Sequence, residues 1–320
     1  MHGPALRAIA PTPFVTIQDG GRRGWRRFGL AGAGAMDKMS LAIANSLVGN
    51  RATEAALEFA YAGGEWTVEA GSCRIAIAGA GFSTKIDGVV LPPLTSAILQ
   101  RGQRLRIGSS PRQVWGYLAV AGGFAIAPQF GSRSTHVRTR IGGLRGGTIQ
   151  AGASLPLVAY RANDEPERTM SIPHEEEDPC RVVLGPQDDF FCEASVSLLL
   201  NSEYHVTWQQ DRMAYRLDGP KLSHSKGYNI ISDAVMPGCI QVPGTGTPIL
   251  LMRDAGTVGG YPKIATVIEA DLCRVAQMRP GSAVKFVAIS VAEAHAIRRR
   301  YLARLQLIAE ETGPLPSALT

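Results

Sequence analysis

Three glycine-rich stretches hold most of the side chains that could bind or transform a polar small molecule. The first runs Ile17-Gln18-Asp19-Gly20-Gly21-Arg22 and continues past Gly34 to Asp37, where a helical pattern begins. An arginine beside a helix N-terminus suits a carboxylate or phosphate, because N–H donors and a guanidinium converge there. The same residues equally suit a structural role, with Asp19 and Arg22 bracing the loop and Asp37 capping the helix. The second stretch is Ala121-Gly122-Gly123-Phe124, followed by Gly131-Ser132-Arg133-Ser134-Thr135. Arg133 between hydroxyls could hold an oxyanion, and Ser or Thr there could as well stabilise turns.

The third stretch, Leu250 to Lys263, carries Asp254, Thr257, Gly259, Gly260, Tyr261 and Lys263 between two strand-like runs. An ordinary hairpin turn is shorter and does not need an acid, a hydroxyl, a phenol and a lysine, so this segment reads as a binding loop. Upstream, Gln241 stands between apolar neighbours in Gly238 to Pro243.

Several familiar chemistries find no support. Ile75 to Thr84 imitates a dinucleotide fingerprint, but Lys85 to Gly88 and then Pro92-Pro93 cannot make the helix whose N-terminus would hold a pyrophosphate. There is no G-x-x-x-x-G-K-[ST] and no G-x-S-x-G. Five widely spaced cysteines without a C-x-x-C pair, and six histidines without an H-E-x-x-H, predict neither disulfides nor a metal site. Residues 1–160 carry 17 Lys and Arg against 7 Asp and Glu. The arginines are dispersed and lack interleaved aromatics, so an anionic small molecule or an acidic partner surface is preferred to nucleic acid.

The elements that must position these loops are mostly strands. The 320 residues include 36 Gly and 20 Pro without a collagen period, which argues for many short strands joined by turns. Strands are predicted at Arg74–Ala78, Val114–Val120, Arg181–Leu184, Ile249–Met252 and Lys263–Ile268. Helices are predicted from Asp37 to Val48, with Leu41, Ala44, Asn45 and Val48 on one stripe and Gly49 as the stop, after Asp271, and from Val291 to Glu311. Arg161 to Pro179 is acidic and proline-rich, the composition of a linker. It separates residues 1–160 from residues 180–320. No apolar run reaches 18 residues and Met1 to Pro13 does not read as a signal peptide, so the expectation is a cytoplasmic protein that does not enter a membrane.

Taken together, the motifs resemble the biotin-dependent carboxyltransferase family, also called the allophanate hydrolase subunit 2 family. The resemblance rests on Gln18-Asp19 with Gly21-Arg22, Gly34-Ala-Met-Asp37, Ala44-Asn45, Val48-Gly-Asn50 and Leu57-Glu58. It continues through Tyr117 to Gly123, Gly131 to Thr135, Asp211-Arg-Met213, Tyr215-Arg-Leu217 and Gly238 to Pro243. Gly259 to Ala265, Ala276-Gln277 and Arg279-Pro-Gly281 complete it. It spans about Phe14 to Glu293 and implies a mainly β fold with few helices, made of two cyclophilin-like β-barrel domains. Departures from the family pattern fall at Ala33, Gly81, Gly147, Ala153, Gly256 and Val258, the last two in the third loop.

The resemblance further implies the C-type component of an ATP-dependent 5-oxoprolinase that opens a cyclic amide. Its expected partners are a B-type protein, kinase-inhibitor-like and related to allophanate hydrolase subunit 1, and a third, A-type protein. ATP would be a co-substrate of the complex, with its site on any of the components. Two alternatives come from the same family. One is a carboxyltransferase acting on urea or a related amide with carboxybiotin supplied by another protein. The other is a non-enzymatic regulator that antagonises a kinase-inhibitor-like partner. Residue chemistry suggests Arg22 and Arg133 for anionic charge, assisted by Ser134 and Thr135. It suggests Asp19 or Asp254 as general base or orienting group, and Lys263 and Tyr261 as shapers of the pocket.

Overall fold

In the computed structural model the described residues are 4–69, 71–79, 81–158, 166–170, 179–308 and 313–314. Among them the chain is mainly β with few helices, as the sequence predicts, and four of these are α-helices. These are α1 (Lys38–Leu47), α2 (Glu193–Asn201), α3 (Leu272–Ala276) and α4 (Val291–Leu307). The chain divides into two compact units. One comprises Met1–Arg22, Ala33–Pro173 and Ala303–Thr320, the other Arg23–Gly32 and His174–Leu302. The linker expected at 161–179 lies outside the described residues except for 166–170 and Pro179.

The first unit holds a six-stranded and a five-stranded sheet. The five-stranded sheet runs in the order Thr16–Gln18, Ala56–Ala60, Trp115–Val120, Ser72–Ala78 and Ser96–Gln100. Leu57, Phe59, Ile75 and Leu118 from it join Leu6, Trp66, Leu105 and Leu155 from the other sheet in one apolar core. Helix α1 packs against Trp115–Val120 and Ser72–Ala78. Strands covered on both faces are largely apolar, and every residue of Trp115–Val120 and of Ala56–Ala60, Glu58 included, is buried. This is the reason Trp115–Val120 stands out in the sequence as a near-continuous apolar run.

Helix α1 starts and stops where its residues dictate. The Asp37 carboxylate accepts from Met39 N and Ser40 N, which satisfies two otherwise orphaned donors and contributes about 1 kcal/mol. Gly49, with φ +76°, follows its end. The imitation dinucleotide motif forms no helix. After Ser72–Ala78 the chain turns at Gly79 and reaches the hairpin of Thr84–Ile86 with Val89–Leu91, closed by Asp87-Gly88 at positive φ.

The second unit is built on one eight-stranded sheet. Its order is Ala283–Val284, Tyr204–Gln210, Ala214–Asp218, Ile249–Leu251, Cys239–Gln241, Lys263–Val267, Cys180–Leu184 and Phe286–Ala288. The two edge strands are separated in the chain by Lys285 alone, so the edges lie side by side and the sheet curls into a nearly closed barrel. Helix α2 was not expected, and its N-cap, Cys192, makes no side-chain capping bond that would announce it. Helix α4 is held through Tyr301, whose hydroxyl is 3.0 Å from Cys273 Sγ. No helix among the described residues is long and apolar enough to cross a membrane.

Candidate functional site

In the first unit, the first and second glycine-rich stretches meet at Asp19. The strand Thr16–Gln18 delivers the carboxylate, and the loop around Gly131 to Thr135 surrounds it with donors. Asp19 Oδ1 accepts from Gly21 N at 2.8 Å, Ser132 Oγ at 2.6 Å and Ser134 Oγ at 2.5 Å. Its Oδ2 accepts from Arg133 N at 2.6 Å. Four donors on one buried carboxylate fix two loops more than a hundred residues apart in sequence. Three of the four donors crowd Oδ1, and only Oδ2, with one, keeps a lone pair for a further proton.

The neighbouring cations are engaged as well. Arg22 donates from Nη2 to Ser134 O. Gly142, at φ +76°, leaves the space this needs, since a Cβ there would run into Ser134 O and Arg22 Nη2. Arg133 donates from Nε to Ile126 O at 2.6 Å and from Nη1 to Glu54 Oε1 at 3.2 Å. Thr135 Oγ1 donates to Ile17 O at 3.0 Å. The structure therefore brings together Asp19, Arg22, Arg133, Ser134 and Thr135. Gln18 Oε1 and His136 Nε2 are buried nearby without a hydrogen-bond partner among the described residues.

Asp37 and Asn45 sit on α1, in different networks. Asp37 N donates to Tyr117 Oη at 2.8 Å, and that phenol donates to Glu58 Oε2 at 2.7 Å. Glu58 is fully buried and also accepts from Met36 N at 2.8 Å. Burial, with Glu58 and Asp37 nearby, pushes the Tyr117 phenol well above its ordinary value, so it remains a neutral donor. Asn45 donates to Glu54 O at 2.8 Å and accepts from Asn50 Nδ2 at 3.0 Å.

In the second unit, the third stretch folds back over the strand that it leads into. Lys263, 1% exposed, donates from Nζ to Asp233 Oδ2 at 2.6 Å and to Ala234 O at 2.9 Å. Gln187 joins from both ends, donating from Nε2 to Asp233 Oδ2 at 3.2 Å and accepting from Lys263 N at 3.2 Å. The Lys263 hydrogen bond, ahead of those from Ala234 N and Gln187, holds the Asp233 carboxyl below its ordinary value. Gln241 donates to Tyr261 O at 3.2 Å, and a Cβ on Gly259 would lie 2.5 Å from Gln241 Nε2, so a larger residue there would push that amide aside. Gly259 pairs with Asp233, Gly260 O accepts from Ile230 N, and Thr257 O accepts from Val235 N. Asp254 stands apart from Lys263 chemically, because Arg212 takes both of its oxygens at 2.8 Å.

Nothing in the local sequence marks Asp233, Gln187 or Glu54 as members of these clusters, whereas Ser132 lies in the second stretch beside Arg133. Glu58 and Arg212 lay within the motifs of the family resemblance without a role. Gly256 and Val258, where the chain departs from the family pattern, are both exposed. Among the described residues no group of three or more His, Cys, Asp or Glu is placed to hold a metal ion. What the second cluster offers chemically is a buried ammonium that uses two of its three N–H donors among the described residues, beside an exposed carboxylate and glycine backbone.

The family model for the carboxyltransferase domain, subdomain A and B, matches residues 28–288. The chain belongs to this carboxyltransferase family. It is 37% identical to the C subunit of 5-oxoprolinase from Escherichia coli, over 94% of this chain and 97% of that one. The corresponding protein of Haemophilus influenzae is 36% identical, over 93% and 96%. Among solved structures, the K. lactis urea amidolyase superposes with a TM-score of 0.88 at 25% identity, over 96% of this chain. This chain spans only 20% of that much longer protein.

Proposed function

We infer that this chain is the C-type component of a multi-subunit, ATP-dependent 5-oxoprolinase. The observation that carries this reading is the end-to-end match to a free-standing C subunit of that enzyme, at 37% identity over 97% of its length. A lactam resists water because amide resonance lowers its electrophilicity, and negative charge grows on the amide oxygen as the carbonyl is attacked. Lys263 supplies a fixed positive charge with an N–H beyond the two it uses among the described residues. The Asp233 carboxylate and the Ala234 carbonyl hold the ammonium in place, and Gln187 braces Asp233. ATP is a co-substrate of the complex, and this chain has no P-loop of its own with which to hold it. A B-type and an A-type protein are the proposed partners.

A second reading, carboxyl transfer from carboxybiotin to an amide or urea nitrogen, draws support from the family description and the fold of the urea amidolyase structure. One experiment separates the two. Phosphate release from ATP is measured with 5-oxoproline, using this chain alone and mixed with B-type and A-type partners. The expected result is release only in the full mixture, independent of bicarbonate and biotin. Turnover that requires both would establish carboxyl transfer instead.

A further inference from the structure

Three arginines of the second unit converge on the turn after the strand Ile249–Leu251, and they are not equivalent. Arg212 presents Nε and Nη2 to the two oxygens of Asp254. Arg181, elsewhere in the same unit, presents the same two atoms to Asp271, with Nε at 3.0 Å and Nη2 at 2.5 Å. Among the described residues Arg26 donates only to neutral carbonyls, from Nη2 to Val235 O at 2.5 Å and Gly256 O at 2.6 Å, and from Nη1 to Ala255 O at 3.4 Å. Arg253 is 6% exposed, and its Nε and Nη2 are buried without a hydrogen-bond partner among the described residues.

The edge that closes on a carboxylate in Arg212 and Arg181 thus meets no acceptor in Arg253. A buried guanidinium without acceptors is strongly unfavourable, whereas its planar fork matches two coplanar oxygens. Asp254, the adjacent carboxylate, is already held by Arg212. Neither Arg26 nor Arg253 has an acidic partner among the described residues, so the turn carries a positive surplus. We propose that Nε and Nη2 of Arg253 form a subsite for the carboxylate of a small-molecule ligand, with Arg26 adding positive charge on the same turn. Under the 5-oxoprolinase reading, on which this identification of the ligand rests, that group is the carboxylate of 5-oxoproline.

The test is calorimetric binding to the full chain of 5-oxoproline, its neutral carboxamide and 2-pyrrolidinone, with glutamate and benzoate as further carboxylate probes. The wild type should bind 5-oxoproline about 30-fold more tightly than the two neutral analogues, the scale of a lost charge-assisted pair. Arg253→Met should abolish that preference and leave affinity for the neutral analogues unchanged, and Arg253→Lys should restore part of it. Without ligand, Arg253→Met should melt at or above the wild-type temperature, because it removes an uncompensated buried charge. A lower melting temperature would show that the guanidinium serves the fold, and it would overturn the subsite. So would a carboxylate preference that survives Arg253→Met, or the absence of binding by every carboxylate. Arg253-dependent binding of glutamate or benzoate without binding of 5-oxoproline would keep the subsite and remove the 5-oxoprolinase reading. Turnover of 5-oxoproline by the assembled complex, insensitive to Arg253→Met, would do the reverse.

Discussion

The Lys263 ammonium lies 2.6 Å from the Asp233 carboxylate, and the two side chains differ sharply in exposure, 1% against 49%. The buried partner depends on the exposed one for its charge balance, while Asp233 without Lys263 would simply be hydrated. Asp233→Asn should therefore lower the melting temperature more than Lys263→Met does. The pH dependence has a definite sign. The Asp233 carboxyl is held below its ordinary 3.8, so its contribution is present above that pH and is lost as pH falls through the lower folded value. Melting curves of wild type and Asp233→Asn should differ at pH 7 and converge as pH drops below 3.8. A gap that persists under acid would show that the carboxylate's charge is not what matters.

The Arg212–Asp254 pair makes a contrasting prediction, because both side chains are largely buried, 12% and 8% exposed. Asp254→Asn or Arg212→Met should each destabilise the chain by about 3 kcal/mol in denaturant unfolding, since each strands a buried charge. Replacing both, as Arg212→Met with Asp254→Leu, should cost less than either alone. If Asp254 instead acts as a general base, Asp254→Asn would abolish turnover with stability unchanged.

What the sequence reveals here is what has a local cause. Helix α1 was legible because Asp37 and Gly49 cap it within its own segment, and Trp115–Val120 because burial on both faces keeps it almost wholly apolar, whereas the buried Glu58 interrupts Ala56–Ala60 and hid that strand. The dinucleotide imitation could be rejected because the Asp87-Gly88 turn sits where a helix would have to run. Long-range matches have no such signature. Nothing near Asp19 announces that Ser132, Arg133 and Ser134 supply three of its four donors. Nothing near Asp254 says that Arg212, rather than adjacent Arg253, takes its oxygens. Arg26 lies in an N-terminal stretch, yet residues 23–32 fold with the second unit. Helix α2 escaped notice because Cys192 provides no capping oxygen.

Tyr117 offers a test of the first unit's interior. Its hydroxyl accepts from Asp37 N and donates to Glu58, so it links the start of α1 to the strand Ala56–Ala60. Tyr117→Phe keeps the ring but leaves a buried N–H and a buried carboxylate oxygen each one bond short. It should lower unfolding free energy by about 1–3 kcal/mol. Hydrogen exchange at Asp37 N should accelerate more than at the middle of α1. Uniform acceleration across the unit would mean that the phenol supports the whole core rather than this junction.

The free thiols should separate cleanly by reactivity. Burial pushes the Cys73 and Cys180 thiols up to about 12, with Asp271 adding to the effect at Cys180. Cys192, partly exposed at the start of α2, is shifted the other way, mainly by its hydrogen bond with Ser195. The thiolate is the reacting species, so the fraction ionised and its access to solvent govern the rate. With iodoacetamide at about pH 7.5, below the ordinary thiol value, peptide mapping of the folded chain should show carboxamidomethylation at Cys192 first, with Cys73 and Cys180 protected until denaturant is added. Ser195→Ala should slow labelling at Cys192 by raising its pKa, and it should leave the order of the others intact. Equal labelling of Cys192 and Cys73 in the native chain would contradict the burial on which the core of the first unit depends.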